Sequence, residues 1–172
     1  MCEGAAASGL RALHLERQRV FEDLREGVRV VKHPRKGSPR AIVLYLTGNE
    51  GATGVKGLML KWSTSWFRRG ELPVCEITEV LAGGKTLTLK RTGVKGCEGT
   101  YLSLITRRRT LDLECSTTAL RDRLVRTFKT WLLEAGDAAG DDFAALANHP
   151  CFQDIQAVKE RAEKFSEEVN IG

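Results

Sequence analysis

The chemistry this sequence offers most openly is the binding of anions. Arg29, Lys32, Arg35, Lys36 and Arg40 stand within twelve residues with no acidic residue among them. Cations gathered in this way pull toward multivalent phosphate or an anionic lipid surface, each adding about 1 kcal/mol close to such a surface. The same run equally describes a solvated loop, and only the fold decides whether it is gathered or scattered. A second pattern is Trp66-Phe67-Arg68-Arg69. Large aromatics beside arginine are the types enriched at protein–protein hot spots. Trp66, Phe67 and Arg68 are therefore candidate contacts for a protein partner, against the alternative that the rings tuck back onto their own domain.

Groups for bond-breaking chemistry are not assembled. His14, His33 and His149 are far apart and in no nucleophile or metal-ligand spacing. Gly84-Lys85-Thr86 matches the end of a phosphate-binding P-loop, but Glu79 stands where the leading glycine is required. Five cysteines (Cys2, Cys75, Cys97, Cys115 and Cys151) include no CxxC pair, so neither a zinc site nor a disulfide framework is expected. Cys75 and Cys115 fall at alternating positions of apparent strands, which predicts buried free thiols. Basic stretches do not interleave with aromatics as nucleic-acid platforms do, and Arg107-Arg108-Arg109 reads as an isolated turn. No catalytic residue, metal, cofactor or nucleic acid is expected.

The elements that must position these residues begin with the strongest signal in the chain. Leu111, Leu113 and Cys115 alternate with Thr110, Asp112 and Glu114, the period of a half-buried strand. After Ser116-Thr117-Thr118 the apolar residues Leu120, Leu124, Phe128 and Leu132 recur every fourth position, so a strand runs almost directly into a long amphipathic helix. Upstream, Gly9 to Arg25 fits a helix ending before Gly27, with residues 1–8 expected to be disordered. Strands are expected at Val28–His33, Arg40–Thr47, Gly57–Trp62, Val74–Leu81, Leu87–Lys90, Thr100–Ile105 and Leu111–Cys115. Ser63 to Pro73 is read as a long connection. Seven short strands closed by a helix describe a small antiparallel barrel or two bent sheets.

Charge divides the chain. Net charge is +5 overall, but residues 134–172 hold nine acidic and three basic side chains, leaving +11 on residues 1–133. That balance suggests an anionic partner for the body and an acidic extension behind it. In the extension, Ile155, Val158, Ala162, Phe165 and Val169 form a stripe on a predicted helix. The stripe suits packing on the domain itself or self-association, and is too short to argue a coiled coil. No apolar run of membrane-spanning length occurs, and the first residues lack the pattern of a signal peptide.

Four phrases carry a resemblance. Leu24-Arg25-Glu26-Gly27-Val28-Arg29-Val30-Val31-Lys32-His33 resembles the opening L-x-x-G-x-x-V-x-K-H of pleckstrin-homology (PH) domains of the phospholipase C type. Leu58-Met59-Leu60-Lys61-Trp62 is similar to their third strand, Cys75-Glu76-Ile77-Thr78-Glu79-Val80 to their fourth, and Thr110-Leu111-Asp112-Leu113-Glu114 to the last strand before the capping helix. The resemblance covers about residues 20–135. It implies a mainly β domain, a seven-stranded antiparallel PH-like barrel or sandwich capped by a C-terminal helix. Residues 1–19 form an N-terminal extension and helix, and residues 136–172 an acidic helical extension.

Within that superfamily a small stand-alone domain is similar to the inner membrane complex sub-compartment proteins of apicomplexan parasites. There the domain serves protein–protein recognition behind an acylated N-terminus. This resemblance implies a noncatalytic adaptor or scaffold, peripheral on the cytoplasmic side of a membrane-associated compartment. Cys2, and not glycine, follows Met1, so N-myristoylation is not expected and Cys2 is the acylation candidate. The alternative is a phosphoinositide or anionic-lipid module. For it, Lys32 and Arg40 match the family's phosphate-binding positions, with Arg35 and Lys36 helping from the loop. Ile42 replaces a clamp arginine, which implies a degenerate lipid site with weak contact at most.

Overall fold

The change of period near Ser116 is realised as a turn of chain direction. Thr117 accepts the Leu120 N–H on its hydroxyl at 3.1 Å, a side-chain cap that starts the last helix. The computed structural model describes residues 3–48, 54–65 and 68–137. In order these form α1 (Glu3–Glu26), β1 (Val28–His33), β2 (Arg40–Thr47), β3 (Met59–Ser65), β4 (Arg68–Pro73), β5 (Ile77–Ala82), α2 (Leu87–Thr92), β6 (Tyr101–Thr106), β7 (Thr110–Glu114) and α3 (Thr118–Asp137), with short 3-10 turns between some of them.

All seven strands join one antiparallel sheet in the order β4-β3-β2-β1-β7-β6-β5. The sheet is not closed by hydrogen bonds, so β4 and β5 are its edges. Alternation decides which face is dry: Ile42, Leu44 and Leu46 of β2 are buried, while the alternate residues Ala41 and Val43 are exposed. Leu60 of β3 and Leu102, Leu104 and Leu113 of β6 and β7 are fully buried in the same core. α3 closes that core with Leu124, Phe128 and Trp131, all at 1% exposure or less. Trp131 meets the rings of Phe128 and Phe21 edge-on, at 5.5 and 6.3 Å between centroids. α1 lies beside α3, inserting Val20 and Leu24 into the core and linking Glu16 to Arg126 in a bidentate ion pair. Gly27 ends α1 at φ +108°, a conformation L side chains avoid, while its N–H bonds Asp23 O at 2.9 Å.

Several expectations are corrected. Leu87–Lys90, expected as a strand, is the first part of α2. Thr86 caps it by accepting from Leu89 N–H, and Leu89 is buried. Four alternating residues are too few to separate a strand from one helical turn. Ser63–Pro73, expected as a long connection, holds the end of β3 and all of β4, so the strand count of seven survives by exchange. The polar run Arg68-Arg69-Gly70-Glu71 concealed β4, because an edge strand needs only a thin apolar face. Val74–Glu76 is a 3-10 turn and β5 starts at Ile77, which leaves Cys75 exposed and not buried; Cys115 is buried as expected. α1 begins at Glu3, ahead of the expected Gly9, through residues expected to be disordered. The acidic extension and its Ile155–Val169 stripe lie outside the described residues, as does Cys2.

Candidate anionic-surface site

Antiparallel pairing brings separate basic segments to one end of the sheet. Lys32 at the end of β1 pairs with Arg40 at the start of β2, so the connection between them, with Arg35 and Lys36 exposed, folds back at that end. The β6–β7 turn, Arg107-Arg108-Arg109, returns there as well, held by Thr106, whose N–H bonds Arg109 O at 2.9 Å. Trp62 of β3 ties the two together. Lys32 Nζ lies 5.3 Å from its ring centroid and Arg109 Cζ 5.0 Å from it, both within cation–π range.

The ring is 5% exposed and seated on a glycine. Trp62 pairs with Gly70 across β3 and β4, and a Cβ on Gly70 would stand only 2.2 Å from the indole Cε2. Any side chain there would displace the indole that both cations rest on. Placement of Trp62 therefore depends on a residue with nothing to contribute but room.

The electrostatics of this end are unfavourable in isolation. Lys32 is held below the ordinary lysine value of 10.5, first by burial and then by the charges of Arg40 and Arg109. Among the described residues none of these cations has a carboxylate partner. Such a grouping is relieved by a bound anion, which supplies the missing charge and acceptor oxygens. Ile42, paired with Val30, is 3% exposed in the core, so the position of a central clamp arginine holds an aliphatic side chain.

Of the residues singled out from sequence, Lys32 and Arg40 are thus brought together, with Arg35 and Lys36 at their margin. Trp66 and Phe67, which link β3 to β4, lie outside the described residues, as does the side chain of Arg68. Arg109 and the role of Trp62 were missed. The signal for Arg109 was the arginine triplet one residue before the last strand, which an antiparallel return must carry to the β1–β2 end.

A polar cluster on the opposite, outer face of the sheet was also missed. Asp112, 2% exposed, accepts hydroxyl hydrogens from Ser103 and Thr86 at 2.7 Å each. Buried His33 reaches Thr92 Oγ1 at 2.7 Å through Nδ1 and Glu114 Oε2 at 3.0 Å through Nε2. Arg91 donates to Pro34 O at 3.0 Å. These bonds fasten α2 to β1, β6 and β7. His33 and Asp112, two residues of the family phrases, thus have a structural task. Among the described residues no cluster of three or more His, Cys, Asp or Glu is placed to hold a metal ion, and no helix is long and apolar enough to cross a membrane.

A seven-stranded antiparallel sheet, running from β4 back to β1 and then through β7, β6 and β5, with a C-terminal helix closing the core, is a PH-like fold. Solved structures bear this out. The chain is similar to inner membrane complex sub-compartment protein 1 from Toxoplasma gondii, with TM-score 0.52 and 15% identity over 69% of this chain and 92% of that one. Sub-compartment protein 3 from the same organism matches with TM-score 0.51 and 8% identity, over 70% of this chain and 86% of that one. No protein-family model and no curated protein matches the sequence.

Proposed function

We propose that this chain is a noncatalytic PH-like module of a membrane-associated scaffold, and that its cationic end seats on an anionic phospholipid surface. The observation that carries this reading is the gathering of Lys32 and Arg109 over Trp62, with Arg40 paired to Lys32, and no carboxylate partner among the described residues. With Ile42 in the core, the site responds to charge density more than to the phosphate pattern of one inositol headgroup. A scaffold setting is supported by the two structural neighbours, whose names place them in an inner membrane complex.

The test is sedimentation of the full chain with vesicles of phosphatidylcholine alone, with phosphatidylglycerol added, and with phosphoinositides added. Anionic vesicles are expected to bind in order of charge. The Lys32→Ala/Arg40→Ala/Arg109→Ala variant is expected to lose about 3 kcal/mol, on the order of a hundredfold in affinity. Equal binding to neutral and anionic vesicles, or an unchanged triple variant, would rule the reading out.

A second reading is a protein adaptor contacting its partner through Trp66, Phe67 and Arg68. It draws support from the aliphatic Ile42 where a phosphate clamp needs a cation, and from the same two neighbours. Trp66→Ala with Phe67→Ala is expected to abolish partner capture in a pull-down while vesicle binding persists; intact capture would dismiss this contact.

A further inference from the structure

The connection from β5 to β6 displays a surface of a different kind from the cationic end. Leu87 and Val94 are 85% and 63% exposed, the most exposed large apolar residues of the described chain. They do not sit on a loose loop. Leu89 and Thr92 between them are anchored, Leu89 by burial and Thr92 against His33, while Thr86 just before is bonded to Asp112 and Val94 N–H donates to the Tyr101 hydroxyl at 2.6 Å. The chain is fastened down, yet it presents these two side chains to solvent. Around them stand Lys85, Lys90, Arg91 and Lys95, all exposed, and residues 83–97 contain no acidic residue. The first acid beyond is Glu98, whose carboxylate is engaged by the backbone N–H groups of Glu98 and Gly96 and so held below its usual range. Arg91, bonded to Pro34 O, joins this surface to the β1–β2 connection and its Arg35 and Lys36.

We propose that this surface rests on an anionic bilayer, with Leu87 and Val94 entering the boundary between headgroups and acyl chains. Lys85, Lys90, Arg91 and Lys95 bind the phosphates around them. Apolar tips ringed by long cationic side chains match the depth profile of a membrane interface, where stems lie in the apolar layer and charges reach headgroups. A protein partner fits poorly. Two separate aliphatic side chains fall far short of the roughly 1,000 Å² that a specific interface buries, and a charged surround is depleted in interface cores. The proposal goes beyond the cationic end, since it adds a second contact, on α2, that depends on insertion as well as charge.

The experiment uses the full chain and vesicles of phosphatidylcholine with phosphatidylglycerol. Leu87→Ser with Val94→Ser alters only exposed positions, and a thermal melt verifies that the fold is kept. This variant is expected to bind on the order of tenfold more weakly, losing the part of binding that resists high salt. In hydrogen exchange, saturating vesicles are expected to protect the amides of residues 85–96 in the native chain. Native-like affinity of the double variant, or amides 85–96 left unprotected by vesicles, would overturn the proposal. So would a loss of protein capture with vesicle binding unchanged. The variant at Lys32, Arg40 and Arg109 forms a separate arm: it weakens affinity while saturating vesicles still protect 85–96, so either contact can fail without the other.

Discussion

Gly70 shows how far one residue's absence of side chain reaches. The indole of Trp62 occupies the volume a Cβ would take, at 2.2 to 2.5 Å from three ring atoms, and the ring is the platform for Lys32 and Arg109. Gly70→Ala is expected to cost about 1–3 kcal/mol through overpacking, at roughly 2–4 °C of melting temperature per kcal/mol for a chain of this size. Anionic vesicles should bind less tightly to it as well. A differential scan showing an unchanged melting temperature would mean that the indole has room to move. The cysteines give a second residue-scale outcome. Burial, first of all, pushes the Cys115 thiol up to about 12, whereas Cys75 is exposed on its 3-10 turn. Since the thiolate is the nucleophile, iodoacetamide at mildly alkaline pH is expected to label Cys75 in the folded protein and Cys115 only after unfolding. Peptide mapping by mass spectrometry reads both; equal labelling of the folded chain would contradict the burial of Cys115.

At the scale of elements, α2 has the most to say about sequence and structure. Its six residues are too short to hold a helix in isolation. What holds it is one buried apolar side chain, Leu89, and the polar bonds to Asp112 and His33. Asp112→Ala removes the acceptor shared by Thr86 and Ser103, leaving the buried Ser103 hydroxyl without its partner at a cost of about 1–3 kcal/mol. The expected signature is local: faster hydrogen exchange of residues 86–93, with α3 amides unchanged. Uniform acceleration across the domain would show instead that Asp112 supports the whole sheet. In sequence, Leu87-Thr88-Leu89-Lys90 alternates like a strand, and the partner atoms that decide against a strand lie far off in the chain, in Asp112 of β7, 26 residues beyond Thr86, and in His33 of β1, 59 residues before Thr92. β4 is the converse case, a strand with little apolar signal whose identity comes from pairing with β3.

The whole molecule is a basic body whose charge is concentrated by topology. Lys32 offers a pH-dependent readout of that concentration. Its folded pKa is depressed below 10.5, so the folded state carries the full cost of the charge at neutral pH, and the cost is relieved as pH rises from the depressed value toward 10.5. A bound anion favours the charged form and raises that pKa, so binding takes up a proton in this alkaline window. Affinity for vesicles of phosphatidylcholine and phosphatidylglycerol is therefore expected to fall as pH rises through it, while the arginines stay charged. Lys32→Ala should flatten this fall; an identical pH profile in that variant would show that the lysine does not meet the lipid.

Residue order alone determined the periods: which faces of β7 and α3 are apolar, where α1 stops before Gly27, and that a run of short strands leads into a closing helix. These are local properties, set by side-chain alternation, caps and backbone freedom over a few residues. Lys32 and Arg40 were legible as a pair of candidate site residues through the family resemblance, and their pairing across β1 and β2 came with the structure. Only the tertiary structure decided that Arg109 joins them across Trp62, that Ile42 belongs to the core, and that α2 is a helix bearing Leu87 and Val94 outward. Those facts depend on pairing between segments far apart in the chain. Such pairing is selected by the burial of the shared core and the satisfaction of polar atoms within it, which no local window contains.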